Sequence, residues 1–381
     1  MTRLPMLAPT CASCGLLTEC GGQRGQQTLA GCLGGCGSSC GGPGKCDWVC
    51  PAKPDFVDRV REVGGLNARA SALMPSSEGL SLGAYIPIIR HASSRTMPVS
   101  AATVALPLEE VVKWRGQSYG VAASSAGDLR AQFGVRSDAN VVLVSVARDR
   151  VLERYWACRR KWFIPRQLKE LGFTAVTVPN FSAFLDAPRP HTLWNRRRME
   201  IVAAEFADLG LVVIPHLNSL QVDDWLYWQG FLSEQKHLTY VATEFQTGLR
   251  VRDRGELAVV DLARLQDRVG RQLHPVIVGG AAYAAELGRY FADLTFVDSQ
   301  PFMKAMHRRR GVGQGKWERT DSTDVGDLLE ANIKAHEAHI ASEILRGKLG
   351  TPAARRRRAA PAVRPPLRSP ELPLLVNPRR G

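Results

Sequence analysis

Short runs of apolar, β-rich residues recur along the chain, each ending in polar residues, and most are separated by segments with helical spacing. Six such runs start near Val141, Thr174, Leu211, Leu238, Pro275 and Leu294, with the helical segments 154–171 and 196–209 among the intervening stretches. Strands that alternate with helices predict a parallel sheet. Two earlier candidates, 84–89 and 103–106, bring the strands to eight, the number that closes a (βα)8 TIM-like barrel. Periodicity alone does not show closure, so a doubly wound open sheet is the alternative. The last run, Thr295-Phe296-Val297-Asp298, is an apolar strand ending in a carboxylate and followed by a helix. A barrel presents a catalytic acid at its mouth in this way, which makes Asp298 the first catalytic candidate.

The pattern divides the chain into three parts. Residues 1–52 are rich in Gly and Cys and have almost no hydrophobic periodicity, so they cannot fold around a core of their own. Residues 53–350 form the α/β domain, opening with a short amphipathic helix at about 55–63 and closing with a helix over 324–349. Asp321, Ser322 or Thr323 is available as the N-cap of that last helix. Residues 351–381 are rich in Pro, Arg and Ala and read as a disordered basic tail.

Hydrophobic residues make up 45% and charged residues 23% of the 381, which is globular usage. No apolar run of transmembrane length and no signal-peptide layout is present, so a soluble, cytoplasmic protein without a membrane partner is expected. The formal net charge is +14, and the tail supplies half of it, with eight Arg against one Glu. The excess favours polyanions through counterion release, although a GC-rich genome would also enrich arginine. Arg308, Arg309 and Arg310 directly follow the Asp298 strand and are candidates to hold a phosphate backbone over the site. Arg196, Arg197 and Arg198 form a similar run on a helical segment. Trp194, Trp225 and Trp228 would suit base stacking, but core packing is the better expectation for them.

Eight of the nine cysteines, Cys11, Cys14, Cys20, Cys32, Cys36, Cys40, Cys46 and Cys50, lie within forty residues. Thiols clustered among glycines suit four-thiolate metal sites better than disulfides in an intracellular enzyme. Only Cys11 and Cys14 have the two-residue gap usual for zinc, whereas Cys46-x3-Cys50-Pro51 is closer to iron-sulfur ligation. An iron-sulfur cluster and zinc both stay open.

The strand ends collect a convergent polar set: Asn180, Ser182 and Asp186, then His216 and Asn218, Glu244 and Gln246, Gly279 and Gly280, and Asp298 and Gln300. The segments 178–184, 242–248, 276–280 and 296–301 resemble, in order and rough spacing, the active-site strands of tRNA-guanine transglycosylase-like barrels, a superfamily that includes DNA deazapurine transglycosylases of phages and bacterial islands. The stretch 178–189, with Leu193-Trp194-Asn195 after it, is also similar to an uncharacterised phage and plasmid family. The first resemblance implies a base-exchanging enzyme acting on a purine or deazapurine base in tRNA or DNA. It makes Asp298 the nucleophile, with Gln246 and the backbone at Gly279 and Gly280 on the base. Asn180 and Asn218 stand where that family places acids, and no cysteine follows Cys158 to form the family's zinc site. Proton transfer then falls to Glu244, His216 or Asp186, with Asn180, Asn218 and Gln300 left to bind substrate. The rivals are a non-catalytic nucleic-acid-binding protein of a phage or plasmid and an iron-sulfur redox enzyme on a barrel scaffold.

Metal analysis of the anaerobically purified protein decides the cofactor question. Iron with visible absorbance is expected for a cluster and colourless zinc for structural sites; protein retaining neither would remove the metal-binding reading.

Overall fold

The computed structural model describes residues 15, 47–66, 77, 79–184, 187–246, 248–321 and 324–350. The cysteines from Cys11 to Cys46, Asp186, and the tail 351–381 lie outside the described residues. After helix α1 (Phe56–Glu62) come strands β1 (Tyr85–Pro87) and β2 (Thr103–Pro107), the short helix α2 (Leu108–Val111) and an antiparallel hairpin, β3 (Val112–Arg115) with β4 (Ser118–Val121). Helix α3 (Ala126–Phe133) leads into the alternating region. That region runs β5 (Asn140–Val144), α4 (Asp149–Cys158), α5 (Ile164–Glu170), β6 (Ala175–Thr177), α6 (Arg189–Asp208), β7 (Val213–Ile214), α7 (Val222–Glu234), β8 (Tyr240–Glu244) and α8 (Arg252–Val269). It finishes with β9 (His274–Val278), α9 (Ala284–Gly288), β10 (Thr295–Asp298) and α10 (Gln300–Met306), then a second hairpin, β11 (Arg309–Gly311) with β12 (Trp317–Arg319), and the terminal helix α11 (Val325–Leu349).

Local chemistry explains the boundaries. The β-branched run of β5 is buried on both faces, as a strand covered on each side requires. The Ser125 hydroxyl caps α3 by accepting the Asp128 amide at 3.1 Å, and Gly134 ends that helix at a φ of 57°. The single helix expected over 154–171 is two, because Phe163 takes a left-handed conformation (φ 50°) and Pro165 starts the second. The N-cap of α11 is Asp324, whose carboxylate accepts the Asp327 amide at 2.9 Å, rather than a residue of 321–323.

Eight parallel strands form two four-stranded sheets, in the orders β1-β10-β9-β8 and β2-β5-β6-β7. Backbone bonds join the edges of one sheet to the edges of the other. Ile88 bridges Ala105, with the Ile89 amide donating to the Ala105 carbonyl at 2.9 Å. His216 bridges Ala242, whose amide donates to Pro215 and whose carbonyl accepts from Leu217, both at 2.8 Å. Side-chain alternation then separates two cores. Ile86, Ala105, Val142, Ala175, Ile214, Ala242, Val276 and Val297, one from each parallel strand, belong to a cluster that no helix enters. Tyr85, Val104, Val141, Val176, Val213, Val241, Ile277 and Phe296 turn the other way and pack with the helices. No helix among the described residues is long and apolar enough to cross a membrane.

The arginine run on α6 is not a solvated face. Arg196, Arg197 and Arg198 are buried, with carboxylates from Asp224, Glu200 and Glu153 respectively. Trp194 and Trp228 are core residues as expected, whereas Trp225 is half-buried.

Helices α9 and α11 approach closely through glycine. A Cβ on Gly347 would stand 2.0 Å from the Ala285 carbonyl oxygen, and one on Gly288 would stand 2.6 Å from the Ile344 carbonyl oxygen. Gly347→Ala is expected to cost about 1–3 kcal/mol through overpacking. Gly230→Ala on α7, where a Cβ meets nothing within 4 Å, should be neutral or stabilising by about 0.4–1 kcal/mol. Urea denaturation of the two variants checks the contrast.

Candidate functional site

A cleft of about 580 Å³ opens at the C-terminal ends of β6, β7 and β8. Its polar wall includes Asn180, Ser182, Asn218, Ser219, Glu244 and Arg254, and its apolar wall includes Phe184, Leu220, Trp225 and Leu249. Glu244 is the last residue of β8 and is registered against Val278. The loops after the other two strands are tied together by backbone-directed bonds. The Asn180 amide donates to the Ser145 carbonyl at 3.0 Å, and Asn218 Nδ2 donates to the Phe181 carbonyl at 2.7 Å. Trp228 Nε1 donates to the Asn218 carbonyl at 3.0 Å, and Asn195 Nδ2 donates to the Ser182 carbonyl at 2.6 Å. Asn180 Oδ1 and Ser219 Oγ are buried without a hydrogen-bond partner among the described residues. Unpaired polar atoms in a cleft wall cost free energy that a hydrogen-bonding ligand would recover.

Of the strand-end residues chosen from the sequence, this cleft brings together Asn180, Ser182, Asn218 and Glu244. It does not include Asp298. Because Val297 points into the strand-only cluster, Asp298 shares the opposite face with Phe296 and turns toward the helices. There Asp298 Oδ2 meets His336 Nε2 of α11 at 2.9 Å, and Oδ1 accepts the Gln300 amide at 2.8 Å and the Tyr85 hydroxyl at 3.5 Å. Asp298 and His336 are 4% and 3% exposed, which leaves no approach for an anomeric carbon. Burial, and after it the Asp298 charge, raises the Tyr85 hydroxyl well above its ordinary range and keeps it a donor. Asp298 thus stands apart from the cleft, and its carboxylate fastens α11 to β10 and β1.

His216 also lies off the cleft wall. It is 1% exposed, and neither ring nitrogen has a hydrogen-bond partner of good geometry among the described residues. Burial pulls its pKa down to about 3, with the Asn218 side chain offsetting part of the shift, so the ring is neutral at physiological pH and has no proton to give as an acid. Gly279 and Gly280, at φ of 77° and 69°, serve close packing. A Cβ there would come within 2.7 Å of Gln246 Cγ and 2.6 Å of Phe245 Cβ. The Gly279 amide is engaged by the Val297 carbonyl at 2.8 Å, Gln246 is exposed, and Gln300 is exposed at the start of α10. None of these four lines the cleft. Arg308 turns the chain between α10 and β11 at a φ of 53°, while Arg309 and Arg310 are exposed on β11.

Cys50 is the one described member of the cysteine series. It is buried, and no group of three or more His, Cys, Asp or Glu suited to a metal occurs among the described residues. Its neighbours fasten the start of the described chain near the cleft. The Val49 amide donates to His191 Nδ1 at 3.2 Å, and the Trp48 ring stacks at 6.3 Å on Phe184 of the cleft wall. Burial, reinforced by Arg198, lowers the His191 pKa to about 3, which keeps Nδ1 available as an acceptor. Sequence reasoning missed Ser219 and Arg254 as cleft residues; Ser219 lies in the loop after β7 and Arg254 in the first turn of α8.

No family model matches this chain. No curated protein matches it either. Among solved structures, a Coccidioides immitis protein provisionally assigned as a fructose-1,6-biphosphate aldolase is similar at 12% identity and a TM-score of 0.36, over 69% of this chain and 89% of that one. A TM-score of that size carries no inference about fold or function.

The Asp298–His336 pair is expected to be structural. Asp298→Ala should cost about 3–5 kcal/mol because it strands a buried imidazole. A double-mutant cycle with His336→Ala should give a coupling of about 0.5–3 kcal/mol. Unchanged urea midpoints in both single variants would refute the assignment.

Proposed function

We propose that residues 53–350 form a (βα)8 barrel whose C-terminal cleft binds a purine-like base of tRNA or DNA and exchanges it, with Glu244 as the attacking carboxylate. The edge-to-edge bonds between the two sheets and the strand-only apolar cluster support the closed ring. The position of the cleft, beyond the carboxyl ends of the strands, is where such barrels work.

The observation that carries the chemistry is the composition of the cleft wall. Among the described residues, one carboxylate, Glu244, stands among two carboxamides, Asn180 and Asn218, with Phe184 and Trp225 on the apolar side. Carboxamides match the donor and acceptor edge of a base, and aromatic rings match its face. In the first step a Glu244 oxygen attacks the anomeric carbon, and the glycosidic electron pair leaves with the base, which takes a proton from water in the open cleft. In the second step a nitrogen of the incoming base displaces the carboxylate and gives up its proton to the hydroxide left by the first step. The target nucleotide has to leave its stack to reach these groups. The positive charge of the chain supports a nucleic-acid substrate, which a cytoplasmic enzyme would meet as tRNA or DNA.

Incorporation of isotopically labelled guanine and 7-deazaguanine bases into tRNA and into DNA tests the proposal. Label should enter one polymer with wild type and fall to background with Glu244→Gln at an unchanged Tm. Equal incorporation by that variant would remove Glu244 from the reaction. No incorporation by metal-replete wild type would overturn base exchange itself.

A further inference from the structure

The β11–β12 hairpin sorts its charges by face. Arg310 stands across from Glu318, an opposite-charge pair, whereas Arg309 stands directly across from Arg319. Like charges at opposed positions of an antiparallel pair destabilise it. The left-handed Arg308 turns the chain directly from α10 into β11, and the Thr320 amide donates to the Arg308 carbonyl at 3.0 Å. The end of α10 therefore meets the two arginines, and Lys304, His307, Arg309 and Arg319 together line an open cavity of about 390 Å³. No carboxylate lines it, and none of the four makes an ion pair among the described residues.

The cluster is held rigidly. Asn332 of α11, fully buried, accepts the Gly311 amide at 2.8 Å through Oδ1 and donates to the Arg309 carbonyl at 2.8 Å through Nδ2. Trp317, two residues before Arg319 on the same face of β12, packs on the His336 ring at 5.7 Å, and the Lys304 ammonium lies over it at 5.9 Å. The backbone under a repulsive pair is thus fixed from behind, so the cations are preorganised for an anion.

We infer that this cavity binds phosphate groups of a polynucleotide backbone. Among the described residues its lining is two guanidiniums, an ammonium and an imidazole with no carboxylate, a donor set that suits phosphate oxygens. The site is separate from the Glu244 cleft, and its test does not depend on base exchange.

Binding of the full-length protein to a fluorescein-labelled single-stranded oligonucleotide, titrated with salt, tests it. Losing two phosphate contacts in Arg309→Gln/Arg319→Gln should weaken binding about tenfold or more and reduce the slope of log K against log salt by about 1.4. The control Lys113→Gln/Arg166→Gln, at two exposed positions elsewhere, should leave both nearly unchanged. Arg319→Gln alone should bind more weakly at an unchanged or higher Tm, because it relieves the repulsion. Equal losses in the two double variants, or none in either, would overturn the inference. Displacement by inorganic phosphate at equal phosphate concentration would point instead to a site for a free phosphate monoester and would likewise overturn it.

Discussion

The guanidinium of Arg198 is the contact around which the region bearing the cleft is organised. It is completely buried on α6, with Nη1 and Nη2 each donating to one oxygen of Glu153 on α4 at 2.7 Å. Its flat face lies 3.7 Å from the Trp194 ring centroid and 4.0 Å from that of Phe181. A planar, delocalised cation tolerates this combination of carboxylate fork and aromatic cage far better than an ammonium would. Burial lowers its pKa, but Glu153 opposes the shift and the group stays charged. Through Asn195, which also meets Arg198 by its Oδ1, the same centre holds the Ser182 carbonyl. Phe181 under the guanidinium is in turn the residue whose carbonyl fixes Asn218. A buried guanidinium paired with a solvent-exposed carboxylate, as Glu153 is, contributes little net stability. Here it sets the position of two loops that carry the cleft wall.

Around that centre, α6 accommodates polar groups that its sequence would place in water. Asp224 accepts Arg189 at 2.6 Å and Arg196 at 3.4 Å, and also takes the Leu220 amide at 3.0 Å. The arginines together hold the Asp224 carboxyl below its usual range despite complete burial. Glu200, between Arg197 and the Tyr227 hydroxyl, is pushed the other way because desolvation outweighs its partners. The helix therefore contributes charge pairs to the interior where most helices contribute only apolar side chains, and the cleft sits directly beside this network.

All eight parallel strands were legible in the sequence because each is a short β-branched or aromatic run. The two hairpins were not. Lys113, Trp114 and Arg115 of β3 and Arg309 and Arg310 of β11 are exposed, so pairing in place, not apolar periodicity, makes them strands. The burial of Arg196 to Arg198 was equally hidden, since their carboxylate partners include Glu153 and Asp224, far away in the chain. Asp298 shows the sharpest limit. Its place at a strand end was evident, but which side of the sheet it faces depends on parity, and one residue of register reverses the answer. Glu244 ends β8 on the parity of Ala242, which faces the strand-only cluster, and Asn180 and Asn218 lie beyond their strands, where parity no longer decides.

The pairing of β1 with β10 has a consequence for synthesis of the chain. Strands β2, β5, β6 and β7 are neighbours in both sequence and space, so their sheet can assemble as soon as they leave the ribosome. Strand β1, made before any of them, finds its sheet partner only when Phe296 and Asp298 emerge. Asp298 then waits a further 38 residues for His336. The nascent chain must therefore carry an unpaired β1 edge until Asp298 is made, and an unpaired Asp298 carboxylate for the 38 residues that follow. Its exposure to misassembly thus lasts until α11 packs against β10.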